Sequence, residues 1–411
     1  MHVGAKGSCR CPTPLSHPTP TIGPIMKILH TSDWHLGRNF GSVSLHDVQA
    51  EFCDWVLQTA IDNGVELLVV AGDLYDRSIP PQESVALWRQ TLIAFHQAGI
   101  AVVAIAGNHD GADRVSAFDG LTDEARVFVR GGYGRAGEII TLEFSDGPLD
   151  IALIPFLDPQ LAPPEWTSEL GEADRPRTHE TVLDLATTRS RIALRGSRSL
   201  AVAHAFVAGS SESDSERNLT VGGTDKIGAA VLEGFSYVAL GHLHTPQVIG
   251  GAENIRYSGT PLAYSFSETG RKSIVLVELA VDGSCSIEIV PVPIGRGVVT
   301  IVGTIEELLA PDAHPEAIDL YVKAVLTDGA YVVDAKLRLQ KRYPYCTDVV
   351  MKNAGTTTAI GADGEIRAEL QPRDAAEKFW ADIVNEPLTD LQSDTLVAAI
   401  DKVFITGEAT R

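Results

Sequence analysis

The apolar residues of this chain fall into short unbroken runs, and several runs end abruptly in polar clusters. Ile28–His30 stops at Asp33-Trp34-His35, Glu66–Ala71 at Gly72-Asp73, and Ile100–Ala106 at Gly107-Asn108-His109-Asp110. Between them, Val48, Phe52, Trp55, Val56 and Ala60 recur at helical spacing within 45–63. A second helix is predicted from Pro80 to Ala98, with its proline where helix starts tolerate one. Strand, helix, strand, helix, strand is a βαβαβ unit. Runs that are apolar throughout, rather than at alternate positions, predict a parallel sheet covered on both faces. Ligands of such sheets sit beyond the carboxyl ends of the strands, where all three clusters fall. Side chains two residues apart on an extended strand share one side, so Asp33 and His35 are expected to project together.

The pattern then changes. Residues 126–155 break into short strands at Arg126–Val129, Glu138–Leu142 and Asp150–Ile154. The stretch 158–177 is rich in proline and glutamate and reads as a loop, followed by a helix to about Leu194. Two further apolar strands end in histidine: Leu200–Ala203 at His204, and Tyr237–Leu240 at Gly241-His242-Leu243-His244. Ile255–Ser258 and Ser273–Leu279 complete two β-rich layers flanked by helices, an α/β sandwich over 26–293. Residues 294–355 read as a separate small α/β unit without a chemical cluster. Residues 356–411 read as a linker and helices, with Phe379, Trp380 and Ile383 on one face. Residues 1–25, rich in Pro, Gly, Ser and Thr and without an apolar signal core, read as a disordered extension or as sequence upstream of a working initiator at Met26.

Composition adds three constraints. The 411 residues, 44% hydrophobic and 21% charged, suit a globular chain of two or three domains. A net charge of −21 excludes a broadly basic nucleic-acid surface, so any DNA contact is local, metal-mediated or supplied by a partner. Cys9, Cys11, Cys53, Cys285 and Cys346 form no paired framework and read as free thiols in a reducing cytosol. No apolar run reaches the roughly 18–20 residues that span a bilayer.

The polar groups at the strand ends are Asp33, His35, Asp73, Asn108, His109, His204, His242 and His244. Singly, each has an ordinary explanation: an Asp after a strand caps a turn, and a lone His satisfies a core. Five such signals in succession, each after an apolar strand, reverse that balance. Carboxylate, imidazole and amide oxygen donors suit Mn²⁺, Fe or Zn²⁺, and Asp73 is placed to bridge two ions about 3.5–4 Å apart. His2, His17, His30, His46, His96, His179 and His314 have no such setting.

The segments MKILHTSDWHLG, VVAGDLYD, AGNHD, ALGHLH and YSGTP…SFSE resemble the calcineurin-like metallophosphoesterase family, and within it the DNA nuclease subunits of double-strand-break repair. The resemblance covers residues 26 to about 300; the second unit matches in position and size, the C-terminal tail more loosely. It implies a β-sandwich flanked by helices, a small α/β capping domain that recognises DNA, and a helical C-terminal tail. It implies Asp33, His35 and His244 on a first divalent ion, Asp73 as the bridge, and Asn108, His204 and His242 on a second, with Mn²⁺ as the expected metal. His109 would face the phosphate as general acid. Asp110 either fixes its tautomer or caps a turn. Asp76 stands where archaeal and eukaryotic relatives carry a His, and Arg38 and Arg77 read as solvated neighbours of the cluster.

The implied activity is 3′→5′ exonuclease on double strands and endonuclease on single strands, in DNA repair, recombination and replication. The implied partners are DNA ends and hairpins, an ATPase with a long coiled coil gripped by the C-terminal helices, and a second copy within a heterotetramer. The setting is the cytoplasm at the nucleoid, with no membrane. The alternative for the helical stripe is internal packing. Two competing functions are a phosphoesterase for nucleotides or phosphoproteins, which the Gly72-Asp73…Asp76-Arg77 spacing echoes, and a non-catalytic scaffold for DNA ends.

Overall fold

The computed structural model describes residues 25–169, 177–211, 213, 214, 216 and 226–352, with isolated positions between 380 and 396. The expected linker after Gly355, the Phe379–Ile383 stripe except Trp380, and residues 1–24 lie outside the described residues. The elements used below are β1 (Met26–Thr31), α1 (His46–Asp62), β2 (Leu67–Val70), α2 (Gln82–Gln97), β3 (Ala101–Ile105), β4 (Val127–Arg130), β5 (Ile139–Phe144), β6 (Gly147–Ile154) and α3 (His179–Ala193). They continue with β7 (Ser199–His204), β8 (Tyr237–Gly241), β9 (Gln247–Ile249), β10 (Ala252–Tyr257), β11 (Ser273–Leu279) and β12 (Cys285–Pro291).

Two six-stranded sheets stack face to face, ordered β12-β11-β1-β2-β3-β4 and β9-β10-β8-β7-β6-β5. The centre of each is parallel: β1, β2, β3 and β4 in the first, and β6, β7, β8 and β10 in the second. Antiparallel strands close three of the four edges, and β4 closes the remaining one in parallel with β3. Alternate side chains of one run serve different cores. Ile28, Leu67, Val69 and Val103 meet Leu200, Val202 and Ala239 between the sheets. Their neighbours Leu29, Leu68, Val70 and Val102 pack outward on Phe52, Val56, Leu87 and Phe95 of α1 and α2. On the far side, Ala201, Ala203, Val238 and Leu240 lie against Val182, Leu183 and Ala186 of α3. With both faces covered, a central strand has no reason to alternate, which accounts for the unbroken apolar runs. At about 25 cal/mol per Å² these buried faces supply most of the drive to fold, so the strand ends stand on a rigid base.

The stretch 158–177 departs from the loop expected of it. It contains a short helix at Pro164–Glu169, with proline at a tolerated first position. Trp166 is buried there, edge-on to Tyr133 at 5.0 Å and under the Arg189 guanidinium at 4.0 Å. One large apolar side chain anchors a segment whose polar composition conceals it.

Residues 298–351 form a small unit of β13 (Val298–Gly303), α4 (Ile305–Leu308), β14 (Tyr321–Leu326), α5 (Ala335–Gln340) and β15 (Cys346–Met351), its three strands parallel. It has its own core of Ile301, Val322, Ala324, Leu339 and Tyr343. A second cluster, Phe40, Leu262, Tyr264, Val298 and Tyr321, joins it to the loops beside the strand-end clusters, and Phe40 stacks on Tyr321 at 4.4 Å.

Candidate metal centre

The polar residues at the carboxyl ends of β1, β2, β3, β7 and β8 meet in one buried pocket. Asp33, His35, Asp73, His204, His242 and His244 are each at most 4% exposed. Asp73 Oδ2 lies 3.7 Å from His35 Nε2 and 3.7 Å from His204 Nε2, between the two histidines. On one side, His35 Nε2 faces His244 Nε2 at 3.2 Å, and Asp33 completes a group whose donor atoms lie within 4.8 Å of one another. On the other, Asn108 Oδ1 sits 2.9 Å from His204 Nε2 and 3.0 Å from His242 Nδ1. All seven residues expected as ligands are therefore brought together, in two halves that share Asp73.

The route by which Asp33 and His35 arrive differs from simple strand alternation. The extended backbone ends at Thr31, and Asp33 and His35 then take left-handed conformations with φ of 54° and 45°. Asp73 at 48° and His242 at 112° do the same. Asp and His tolerate positive φ better than most residues, at a cost of order 1–3 kcal/mol each, and such strain gathers at functional sites. The neighbouring glycines are required by space: a Cβ on Gly72 would stand 2.2 Å from His204 Nδ1, and one on Gly107 2.1 Å from Asp73 Oδ1.

Several braces hold the strained loop. Trp34 is buried edge-on between Phe52 and Trp88 and donates through its indole to Thr31 Oγ1. Gln49 of α1 donates to the carbonyls of His35 (2.8 Å) and Trp34 (3.3 Å) and accepts from Gly37 N (3.0 Å). The Tyr264 hydroxyl also donates to the Trp34 carbonyl. Gln49 and Tyr264 carry no motif signal; only a buried amide on an otherwise apolar helix face hints at the first.

Asp110 settles between its two expected roles. Its carboxylate accepts from the backbone N–H groups of Leu74 (3.0 Å), Tyr75 (2.9 Å) and Gly107 (2.9 Å), tying the β2 turn to the β3 turn. The tautomer of His109 is set elsewhere: His109 Nδ1 donates to the backbone carbonyl of Asp76 at 2.9 Å, and His109 N donates to Asp73 Oδ1. Arg38 is more than a solvated neighbour. It pairs with Asp76 Oδ1 at 3.1 Å and lies 5.1 Å over the Tyr264 ring, whereas Arg77 is exposed.

Electrostatics show what the pocket calls for. Burial and the charge of Asp73 push the Asp33 carboxyl well above its ordinary range. Burial and the neighbouring histidines drive His35 and His242 well below theirs. Asp110 is pushed up to about 7 by burial and by Asp73, against its backbone donors. Two carboxylates and four imidazole lone pairs thus crowd a dry space. A divalent ion in each half relieves both the acid repulsion and the His35–His244 opposition, so the donor set fits two divalent metals.

Comparison with known proteins gives the family. The calcineurin-like phosphoesterase family model matches residues 26–246. The SbcD component of the nuclease SbcCD from Escherichia coli strain K12 is 31% identical over 326 residues, 77% of this chain and 81% of that one. Among solved structures, TT1561 of Thermus thermophilus is similar with a TM-score of 0.35 at 13% identity, over 65% of this chain and 99% of that one. A dimetal phosphatase from Danio rerio gives 0.38 at 13%, over 66% and 97%. The chain belongs to the calcineurin-like phosphoesterase family. Within that family it is of the SbcD type, a metal-dependent hydrolase of phosphodiesters.

Proposed function

We propose that this chain is the nuclease subunit of a complex with an SbcC-type ATPase and cleaves DNA as a 3′→5′ double-strand exonuclease and single-strand endonuclease. Its substrates are DNA ends and hairpins arising in repair, recombination and replication at the nucleoid. The observation that carries this reading is the convergence of seven donors from five strand ends on two half-sites sharing Asp73. Asp33, His35 and His244 would hold one ion and Asn108, His204 and His242 the other, with Asp73 available to both. Two divalent ions, Mn²⁺ first among them for this donor set, offset phosphodiester charge and activate water when bound.

The chain's own groups do the rest. His109 stands beside the pocket with Nδ1 committed to the Asp76 carbonyl, which leaves Nε2 to meet the substrate. In its cationic form that nitrogen gives a proton to the leaving oxygen, a contribution of about 10²–10⁴-fold. Gln49, Tyr264 and Asp110 keep the turns from shifting as substrate enters.

The unit over 294–355 is proposed to recognise DNA. Lys336, Arg338 and Lys341 lie on and just after α5, near the exposed Tyr331 and Leu337 in sequence, and offer local positive charge on an acidic chain, whereas Arg342 is taken up by the carbonyls of Pro311 and Ala313. The C-terminal helices over 356–411 are proposed to grip the ATPase.

A second copy is proposed to dock at a groove of about 400 Å³ between α2 and the segment 114–125, lined by Trp88, Leu92, Ile93, Val115 and Phe118. Phe118 is 68% exposed and Leu121 78%, more apolar surface than an isolated chain gains from showing. Light scattering is expected to give twice the chain mass, and Phe118→Asp half of that. A mass unchanged by the substitution would remove the groove from the interface.

Purified protein with Mn²⁺ and labelled linear duplex is expected to degrade the DNA, faster with the ATPase and ATP, and to stop in EDTA. Turnover of a small phosphodiester without any DNA cleavage would point instead to a nucleotide or phosphoprotein substrate.

A further inference from the structure

His244 is held from behind by a buried ion pair that lies outside the ligand set. Its Nδ1 is 3.2 Å from Glu268 Oε1, while its Nε2 points into the pocket toward His35. The Glu268 side chain is 1% exposed, and its other oxygen accepts from Thr260 Oγ1 at 3.1 Å and Tyr264 N at 3.3 Å and pairs with Lys272. Lys272 Nζ in turn donates to Thr260 Oγ1 at 2.6 Å. Glu268 therefore cannot swing toward substrate.

The other half-site has nothing equivalent among the described residues. His204 Nδ1 meets a backbone carbonyl, that of Ala71, at 2.9 Å, and His242 turns its own Nδ1 inward to Asn108 Oδ1. At His35 the Asp76 carboxylate lies 3.8 Å from Nδ1, too far for a hydrogen bond. Among the described ligands, only His244 has a full carboxylate bonded to the ring nitrogen opposite its donor atom. A carboxylate in that position fixes the tautomer with Nδ1 protonated and makes Nε2 a stronger donor.

We propose that Glu268, held by Lys272, is a positioning residue that makes the Asp33–His35–His244 half the tighter of the two metal half-sites. The proposal rests on the two-metal reading above and goes beyond it by ranking the halves. The competing explanation is a structural staple: a buried Glu–Lys pair joins two loops whatever its effect on a metal. Removing one member alone would strand a buried charge, so the informative variant removes both charges together. In Glu268→Gln with Lys272→Met, the amide oxygen still accepts from His244 and the volume is kept.

Calorimetric titration of the metal-free full chain with Mn²⁺ is expected to show two steps of unequal affinity. In the double variant the tighter step should weaken about 10–100-fold. The weaker step should stay within about threefold, because the outward nitrogen of His204 is held by the Ala71 carbonyl and not by Glu268 or Lys272. Two unchanged steps would overturn the proposal, and so would equal weakening of both. Should the double variant not fold, the wild type decides. Loaded with diamagnetic Zn²⁺, it is expected to show a slowly exchanging, strongly downfield proton on His244 Nδ1 in ¹⁵N-resolved NMR, and an unprotonated Nδ1 would overturn the assignment. Failure of the two-metal reading looks different: the wild type would bind no second ion, or His244→Ala would leave both steps intact.

Discussion

Asp73→Asn should abolish hydrolysis while leaving the fold intact. The substitution keeps the shape, the acceptor for His109 N and a residue type that tolerates φ near 48°. It removes the one carboxylate that lies 3.7 Å from both His35 and His204. Each ion contributes several kcal/mol to a phosphoryl transition state, so losing the shared ligand corresponds to on the order of 10⁴-fold or more in rate. Calorimetry should show neither ion binding normally. The metal-free variant should melt no lower than the metal-free wild type, because the substitution removes the Asp73 charge that, after burial, raises the Asp33 carboxyl above its usual range. Two tight ions and wild-type cleavage in Asp73→Asn would sink the bridging role.

The second large effect separates chemistry from metal binding. His109→Ala should lower the cleavage rate by about 10²–10⁴-fold with both ions still bound, since in the proposed role the side chain serves the leaving group and its contact with Asp73 is through the backbone N–H. The distinction has a specific rival. His35, Asp76 and His109 also form a group with donor atoms within 4.8 Å, so His109 has an alternative as a ligand. Loss of an ion in His109→Ala would favour that alternative and remove the general-acid role.

The sheets were legible because their centres are covered on both faces, which left runs such as Leu67–Val70 and Ala101–Ile105 without a polar interruption. The ends were legible for a related reason: a polar cluster immediately after a buried run has few places to go except the rim of the sheet. What escaped was conformation rather than position. Alternation along a strand predicts that Asp33 and His35 point the same way, yet both lie past the strand in left-handed backbone, a choice made by packing around Trp34 and Gln49. The role of Asp110 stood open between two readings, and those of Glu268 and Gln49 were hidden. Each acts through a contact 14 to 36 or more residues away in sequence or through a backbone amide, and no spacing rule reports such a contact. Trp166 shows the opposite failure, where proline and glutamate on either side masked one anchoring indole.

The left-handed residues around the pocket carry an evolutionary consequence. At Asp33, His35, Asp73 and His242 the backbone is held where glycine or asparagine would rest more easily. Drift toward a more stable chain therefore has an open path at four positions, and each step along it deletes a donor or weakens one. A descendant released from phosphodiester chemistry would be expected to lose these residues first and to gain thermal tolerance in doing so, much as stabilising changes elsewhere exact their cost in activity. The same four positions make the pocket hard to graft: the donors can be copied onto another sandwich, but not the packing that forces their backbone into place.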